Sequence, residues 1–193
     1  MLAGKGFTNI YNLAGGIKGW DSAAAIGSQD LGLSLFKGNE SGPAALLVAY
    51  GLETGLKDFY ATQEDAAKDP DVKALFKKLG AIEVKHQERI IDEYSRIVGR
   101  PVTREKLESQ ISGPEMEGGL TTKEYMNLFN PDLESVVDIV SIAMSIEAQA
   151  LDLYMRAAAN SSEDEGRRML TKMADEEKTH MALLGNLLDD INN

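Results

Sequence analysis

The chain contains only two histidines, and each stands three residues after a glutamate, in Glu83-Val84-Lys85-His86 and Glu177-Lys178-Thr179-His180. A helix turns about 100° and rises about 1.5 Å at each residue, so positions three apart share one face, one above the other. A Glu and a His at that spacing can grip a single ion from one helix. A shift of 94 positions carries Glu53, Asp58, Tyr60, Glu83 and His86 onto Glu147, Asp152, Tyr154, Glu177 and His180. Both halves therefore read Glu-x4-Asp-x-Tyr, with Glu-x-x-His beginning 30 residues after the first Glu. This is an internal repeat of chemistry-bearing residues.

The pattern around these residues is helical. Ser41-Gly42-Pro43 opens a first helix, Pro being tolerated in the first turn, and Leu46, Tyr50, Glu53, Leu56 and Tyr60 follow on one face. Asp69-Pro70 caps a second helix striped by Val72, Leu75, Phe76, Leu79, Glu83, His86, Ile90 and Tyr94, which ends near Gly99 with Pro101 beyond. Asn130-Pro131 repeats that kind of start before Val136, Val140, Ala143, Met144, Glu147, Leu151, Tyr154 and Met155. Ser162-x-x-Glu165 reads as a capping box before Met169, Met173, Glu177, His180, Leu184, Leu187 and Ile191. The methionines read as core filler rather than ligands. Between helices two and three lie 34 irregular residues, 99–132, in which Thr103 is placed to cap a short turn and Thr121-x-x-Glu124 is a capping box. Returning along a helix of about 40 Å needs only about 12 extended residues, so this crossover can set helix three parallel to helix two. The predicted fold is an all-α four-helix bundle over 41–193, with a long crossover between helices 2 and 3 and an irregular N-terminal arm over 1–40.

Six of these side chains, Glu53, Glu83, His86, Glu147, Glu177 and His180, fall on apolar stripes. A buried carboxylate without a partner costs several kcal/mol. The stripes carry no Lys or Arg to neutralise four of them, whereas two divalent cations would, with two imidazoles completing the shell at no charge cost. The bland alternative is a plain bundle whose carboxylates are protonated or face water. Carboxylate and imidazole without thiolate suit iron or manganese, and zinc also binds such sites. Glu176, one turn before His180, competes with Glu177 for the ligand role; the repeat register favours Glu177.

Composition removes several other functions. The formal net charge of −11 argues against a nucleic-acid or anionic-membrane surface. Zero cysteines exclude disulfides, thiolate nucleophiles, iron–sulfur clusters and thiolate-bound zinc within this chain. No run approaches 18 apolar residues and no signal-peptide core opens the chain, so a cytoplasmic location is the expectation.

A Glu from each of two helices plus Glu-x-x-His from each of the other two resembles the ferritin-like di-iron carboxylate proteins. Within them, residues 41–192 look most like the rubrerythrin branch, where a Tyr commonly follows the first-helix Glu by seven, as Tyr60 does here. The resemblance implies that Glu83 and Glu177 bridge two irons, with Glu53 and His86 on one and Glu147 and His180 on the other. It makes Tyr60 and Tyr154 hydrogen-bond donors to ligand carboxylates, although both also fit as ordinary core tyrosines. It further implies a homodimer. Two departures stand out. Rubrerythrins usually carry an extra Glu three residues after the helix-three ligand, where this chain has Ala150, and usually a rubredoxin-type domain holding iron with four cysteines, here absent.

Gly6-Phe7 through Leu13-Ala14-Gly15-Gly16 to Trp20 resembles the C-terminal end of a rhodanese-like domain, over about 15 residues. The rhodanese catalytic cysteine loop would lie upstream, so no sulfur transfer is assigned to this chain. A longer native polypeptide or a remnant is expected, the alternative being a Gly-rich arm lying on the bundle. Residues 21–40 read as linker.

The expected function is that of a di-iron oxidoreductase, rubrerythrin-like, reducing hydrogen peroxide with electrons from an external donor protein. The alternatives are ferroxidase or iron-buffering activity, with dioxygen as oxidant, and a structural adaptor whose metal site has lost its chemistry.

Overall fold

The computed structural model describes residue 25, residues 30–111, 113 and 115–192; the rhodanese-like stretch at 6–20 lies outside them. Among these residues six α-helices are formed: α1 (Gly42–Ala66), α2 (Pro70–Val98), α3 (Arg104–Glu108), α4 (Thr122–Phe129), α5 (Val136–Asn160) and α6 (Asp164–Asn192). Among the described residues there is no strand, only an isolated bridge between Glu115 and Thr121. Among the described residues no helix is long and apolar enough to cross a membrane.

Local chemistry sets most helix ends. Ser41 Oγ accepts from Ala44 N–H, and Asp69 Oδ1 accepts from Asp71 and Val72 N–H at 2.8 and 3.2 Å, each satisfying first-turn donors that have no helical partner. Gly99, with φ 70°, stops α2 in the left-handed conformation that glycine adopts without strain. Thr103 caps α3, and Thr121 with Glu124 forms the expected capping box on α4.

Two expected starts differ. Asn130 does not open the third long helix; it ends α4 in the left-handed region (φ 43°), and α5 begins at Val136 under a Ser135 cap. The Ser162–Glu165 capping box is not made. Ser162 Oγ donates instead to Gly38 O at 3.0 Å, and Glu165 accepts from Gly42 N–H at 3.3 Å. A carboxylate at the N-terminus of α1 is favoured by the helix dipole, so Glu165 serves its neighbour rather than its own helix.

That contact also fixes topology, because it sets the first turns of α1 and α6 side by side. At this end, Leu46 and Tyr50 of α1 cluster with Ile90 of α2, Leu153 and Ala157 of α5, and Leu170 and Met173 of α6. At the other end Leu56, Phe59 and Tyr60 meet Val72 and Phe76, Ile139 and Val140, and Leu184 and Leu188. The end of α2 and the end of α5 thus share one cluster, and their beginnings share the other. α2 and α5 run parallel, as in the ferritin-like bundle, and the chain between them must travel the length of the molecule.

The supposed linker is partly structure. Leu31 O accepts from Arg156 at 2.9 Å, Phe36 is buried edge-on to Tyr154, and Glu40 is buried. Met155, placed on the apolar stripe from sequence, is 54 % exposed, being one step of about 100° past the inward-facing Tyr154.

A candidate dinuclear metal centre between two apolar clusters

Glu53, Glu83, His86, Glu147, Glu177 and His180 are all buried, in the band that separates the two apolar clusters. The three-residue helical spacing does what geometry demands: His86 Nδ1 lies 2.9 Å from Glu83 Oε2, and His180 Nδ1 lies 2.8 Å from Glu177 Oε2. Across each helix pair the distances agree as well, with His86 Nδ1 3.4 Å from Glu53 and His180 Nδ1 3.4 Å from Glu147. Each half thus forms a compact Glu-Glu-His group whose potential ligand atoms lie within 4.8 Å of one another. Between the halves the two imidazole rings stack at 3.7 Å, 4° from parallel. Glu176 is half-buried while Glu177 is fully buried beside His180, in keeping with the repeat register.

A third group joins the halves. Glu53, Glu177 and Glu117 offer oxygens within the same 4.8 Å limit. Sequence reasoning missed Glu117 because it lies in the irregular crossover, in a single 3-10 turn (Glu117–Gly119) where no periodicity points inward. The Gly118-Gly119 pair that follows was the available signal, since paired glycines mark a backbone pressed against something.

The electrostatics are those of a site assembled around positive charge. Burial, then repulsion from the neighbouring carboxylates, pushes Glu53, Glu117 and Glu177 well above the usual carboxylate range. Burial acts on Glu147 too, but hydrogen bonding to His180 and Glu177 and the nearby imidazoles outweigh it and hold this carboxyl below its ordinary value. Both oxygens of Glu53 and of Glu117, one each of Glu147 and Glu177, and His180 Nε2 are buried with no hydrogen-bond partner among the described residues. Buried polar atoms are almost always paired, so this concentration of orphans is abnormal for a plain bundle. Five carboxylates and two imidazoles without thiolate fit two divalent cations, which would supply the missing partners and cancel most of the charge.

Tyr60 and Tyr154 are buried, and burial followed by the field of the carboxylates raises both phenols well above their ordinary range. The Tyr154 hydroxyl has no hydrogen-bond partner among the described residues, so it does not make the donation to a ligand carboxylate expected from sequence. Beside the site, buried Gln87 donates to Thr54 Oγ1 at 2.8 Å and accepts from Arg104, tying α1, α2 and α3 together one residue from His86. A cavity of about 230 Å³, walled by Leu79, Ile82, Leu183, Leu184 and Leu187, reaches Glu83, Glu147 and His180.

No curated protein and no solved structure matches this chain. The family model described as rubrerythrin matches residues 44–188, the whole bundle except its extreme ends. With two Glu-Glu-His groups meeting inside that matched region, the chain belongs to the rubrerythrin family.

Proposed function

We propose that the protein is a non-haem di-iron oxidoreductase that reduces hydrogen peroxide to water with electrons from an external donor protein. Glu53, Glu83 and His86 would hold one ion and Glu147, Glu177 and His180 the other. When bound, the ion pair supplies two electrons and an electrostatic clamp on an O–O unit.

The observation that carries this reading is the cavity ending at Glu83, Glu147 and His180. Its wall is mostly leucine and isoleucine, with Lys78 the one charged side chain besides the candidate ligands. A species that reacts there must be small and be bound by the metals themselves. The chain's own residues hold the ions, keep bulk water away and fix the ligand imidazoles. Each Nδ1 already faces its carboxylates, so imidazole and carboxylate would reach the same ion. Peroxide reduction consumes two electrons and two protons for two waters. With no cysteine in the chain, the electrons come from a separate donor.

The same apolar wall favours dioxygen as much as peroxide, and this supports a second reading as a ferroxidase with ferrous iron as substrate. Stopped-flow oxidation of the Fe(II)-loaded protein separates the two. Faster oxidation by peroxide than by dioxygen, at two electrons per chain, is expected. Oxidation by dioxygen with no acceleration by peroxide, and iron uptake beyond two ions per chain, would give the ferroxidase.

A further inference from the structure

We propose that Glu117 is a seventh metal ligand, delivered from the crossover rather than from a bundle helix, and that it stands in for the carboxylate this chain lacks at Ala150. The inference rests on the reading of the cluster as a two-ion site.

The argument begins with backbone. Gly118 has φ 75°, and a Cβ there would sit 2.4 Å from Gln149 Cβ and 2.3 Å from the Tyr125 hydroxyl. A Cβ on Gly55 would sit 2.5 Å from Glu115 O. The 115–119 stretch is therefore wedged between α1 and α5, closer to both than any side chain permits. Position 150 lies one turn along α5 from Glu147, on the same helix face. Ala150 is fully buried and ends at Cβ, so α5 brings no carboxylate to that position.

The turn is also pinned. Tyr125 Oη donates to Glu117 O at 2.6 Å, both groups buried. A residue held this way has its side chain aimed by the backbone, and Glu117 is aimed at Glu53 and Glu177. Its side chain is fully buried, and the groups it meets are carboxyls, Glu53 and Glu177, rather than a cation or an N–H donor. Nothing cationic among the described residues stands near enough to form an ion pair with it. A structural role would leave such a carboxyl hydrogen-bonded; a ligand role accounts for its bareness. The crossover then does more than connect α2 to α5. It closes the site from the side opposite the Glu-x-x-His helices and makes one ion's shell depend on loop conformation.

The test is metal binding by Glu117→Gln, which keeps shape and volume, beside Glu53→Gln as a control at an expected ligand. Anaerobic Fe(II) and Mn(II) titrations by calorimetry, with elemental analysis, give stoichiometry and affinity. The Mössbauer spectrum of the diferric form reports each iron separately. The proposal expects the parent to bind two ions and E117Q to bind one of them at least about tenfold more weakly. The Mössbauer parameters of one iron alone should change. A parent and an E117Q with the same two affinities and the same spectrum would overturn the ligand role while leaving the two-ion site intact. A parent that binds no second ion, with E53Q indistinguishable from it, would overturn both.

Discussion

The imidazoles of His86 and His180 lie face to face, 3.7 Å apart and 4° from parallel. They are the chain's only histidines, they come from helices in different halves, and the 94-residue shift that relates them in sequence relates them in space. Each turns Nδ1 toward its own pair of carboxylates, Glu83 and Glu53 for one, Glu177 and Glu147 for the other. The centre therefore has approximate twofold character, which Glu117 breaks by adding a carboxylate beside Glu53 and Glu177.

The acidic cluster makes the metal-free protein sensitive to pH in an unusual direction. Glu53, Glu117 and Glu177 have carboxyls raised by burial and mutual repulsion, so the folded chain binds more protons than the unfolded one above the ordinary carboxylate range. Stability then falls as pH rises from that range through the raised values. The melting temperature of the metal-free chain is expected to be higher near pH 5 than near pH 8. In the loaded protein metal competes with protons for the same oxygens, so the order should reverse. Calorimetric melts with and without chelator check both signs.

Removing one imidazole should affect one half more than the other. His86→Gln is expected to weaken the ion shared by Glu53 and Glu83, and His180→Gln the ion shared by Glu147 and Glu177, with the helical fold retained. Metal titration with circular dichroism on the same samples is the check. Loss of all binding by either variant alone would mean that the halves are not separable sites.

Much of this centre was legible because helices repeat. A three-residue spacing places Glu83 over His86 and Glu177 over His180 whatever surrounds them, and capping chemistry at Ser41, Asp69 and Thr121 is local. What the sequence concealed depended on distant partners. Asn130-Pro131 looks like a helix start until α4 uses Asn130 as its left-handed end. Ser162 and Glu165 look like a capping box until Gly38 and Gly42 claim them. Glu117 has no periodicity at all, and its inward aim comes from Tyr125, Gly118 and α5 together.

The crossover turn should be intolerant of any added carbon. Gly118→Ala combines a left-handed φ with clashes against Gln149 and Tyr125, and is expected to cost about 2–4 kcal/mol, from the steric cost of that conformation and from overpacking. Thermal denaturation of the metal-free variant measures it. A change below about 0.5 kcal/mol would be that of an ordinary surface site.

Tyr154 offers the opposite sign. Its hydroxyl is buried without a partner, so Tyr154→Phe removes an uncompensated polar group at nearly constant shape. The metal-free variant is expected to be as stable as the parent, or more stable by about 1 kcal/mol. A loss of 1 kcal/mol or more would show that this phenol does find a partner in solution.

The leucine-lined cavity predicts size selection. Leu183 is 57 % exposed on its wall, and Leu183→Trp adds bulk there without touching a ligand. Oxidation of the Fe(II)-loaded variant by a bulky organic hydroperoxide should slow more than oxidation by hydrogen peroxide, read by stopped-flow absorbance. Equal slowing would place the route of entry elsewhere.

The most direct test of the dinuclear centre is an anomalous-scattering experiment on crystals of the metal-loaded protein, with elemental analysis of the same preparation. Two ions per chain are predicted, about 3.5–4 Å apart, one among Glu53, Glu83 and His86 and the other among Glu147, Glu177 and His180. A single ion, or two ions bound away from the stacked histidines, would contradict the account.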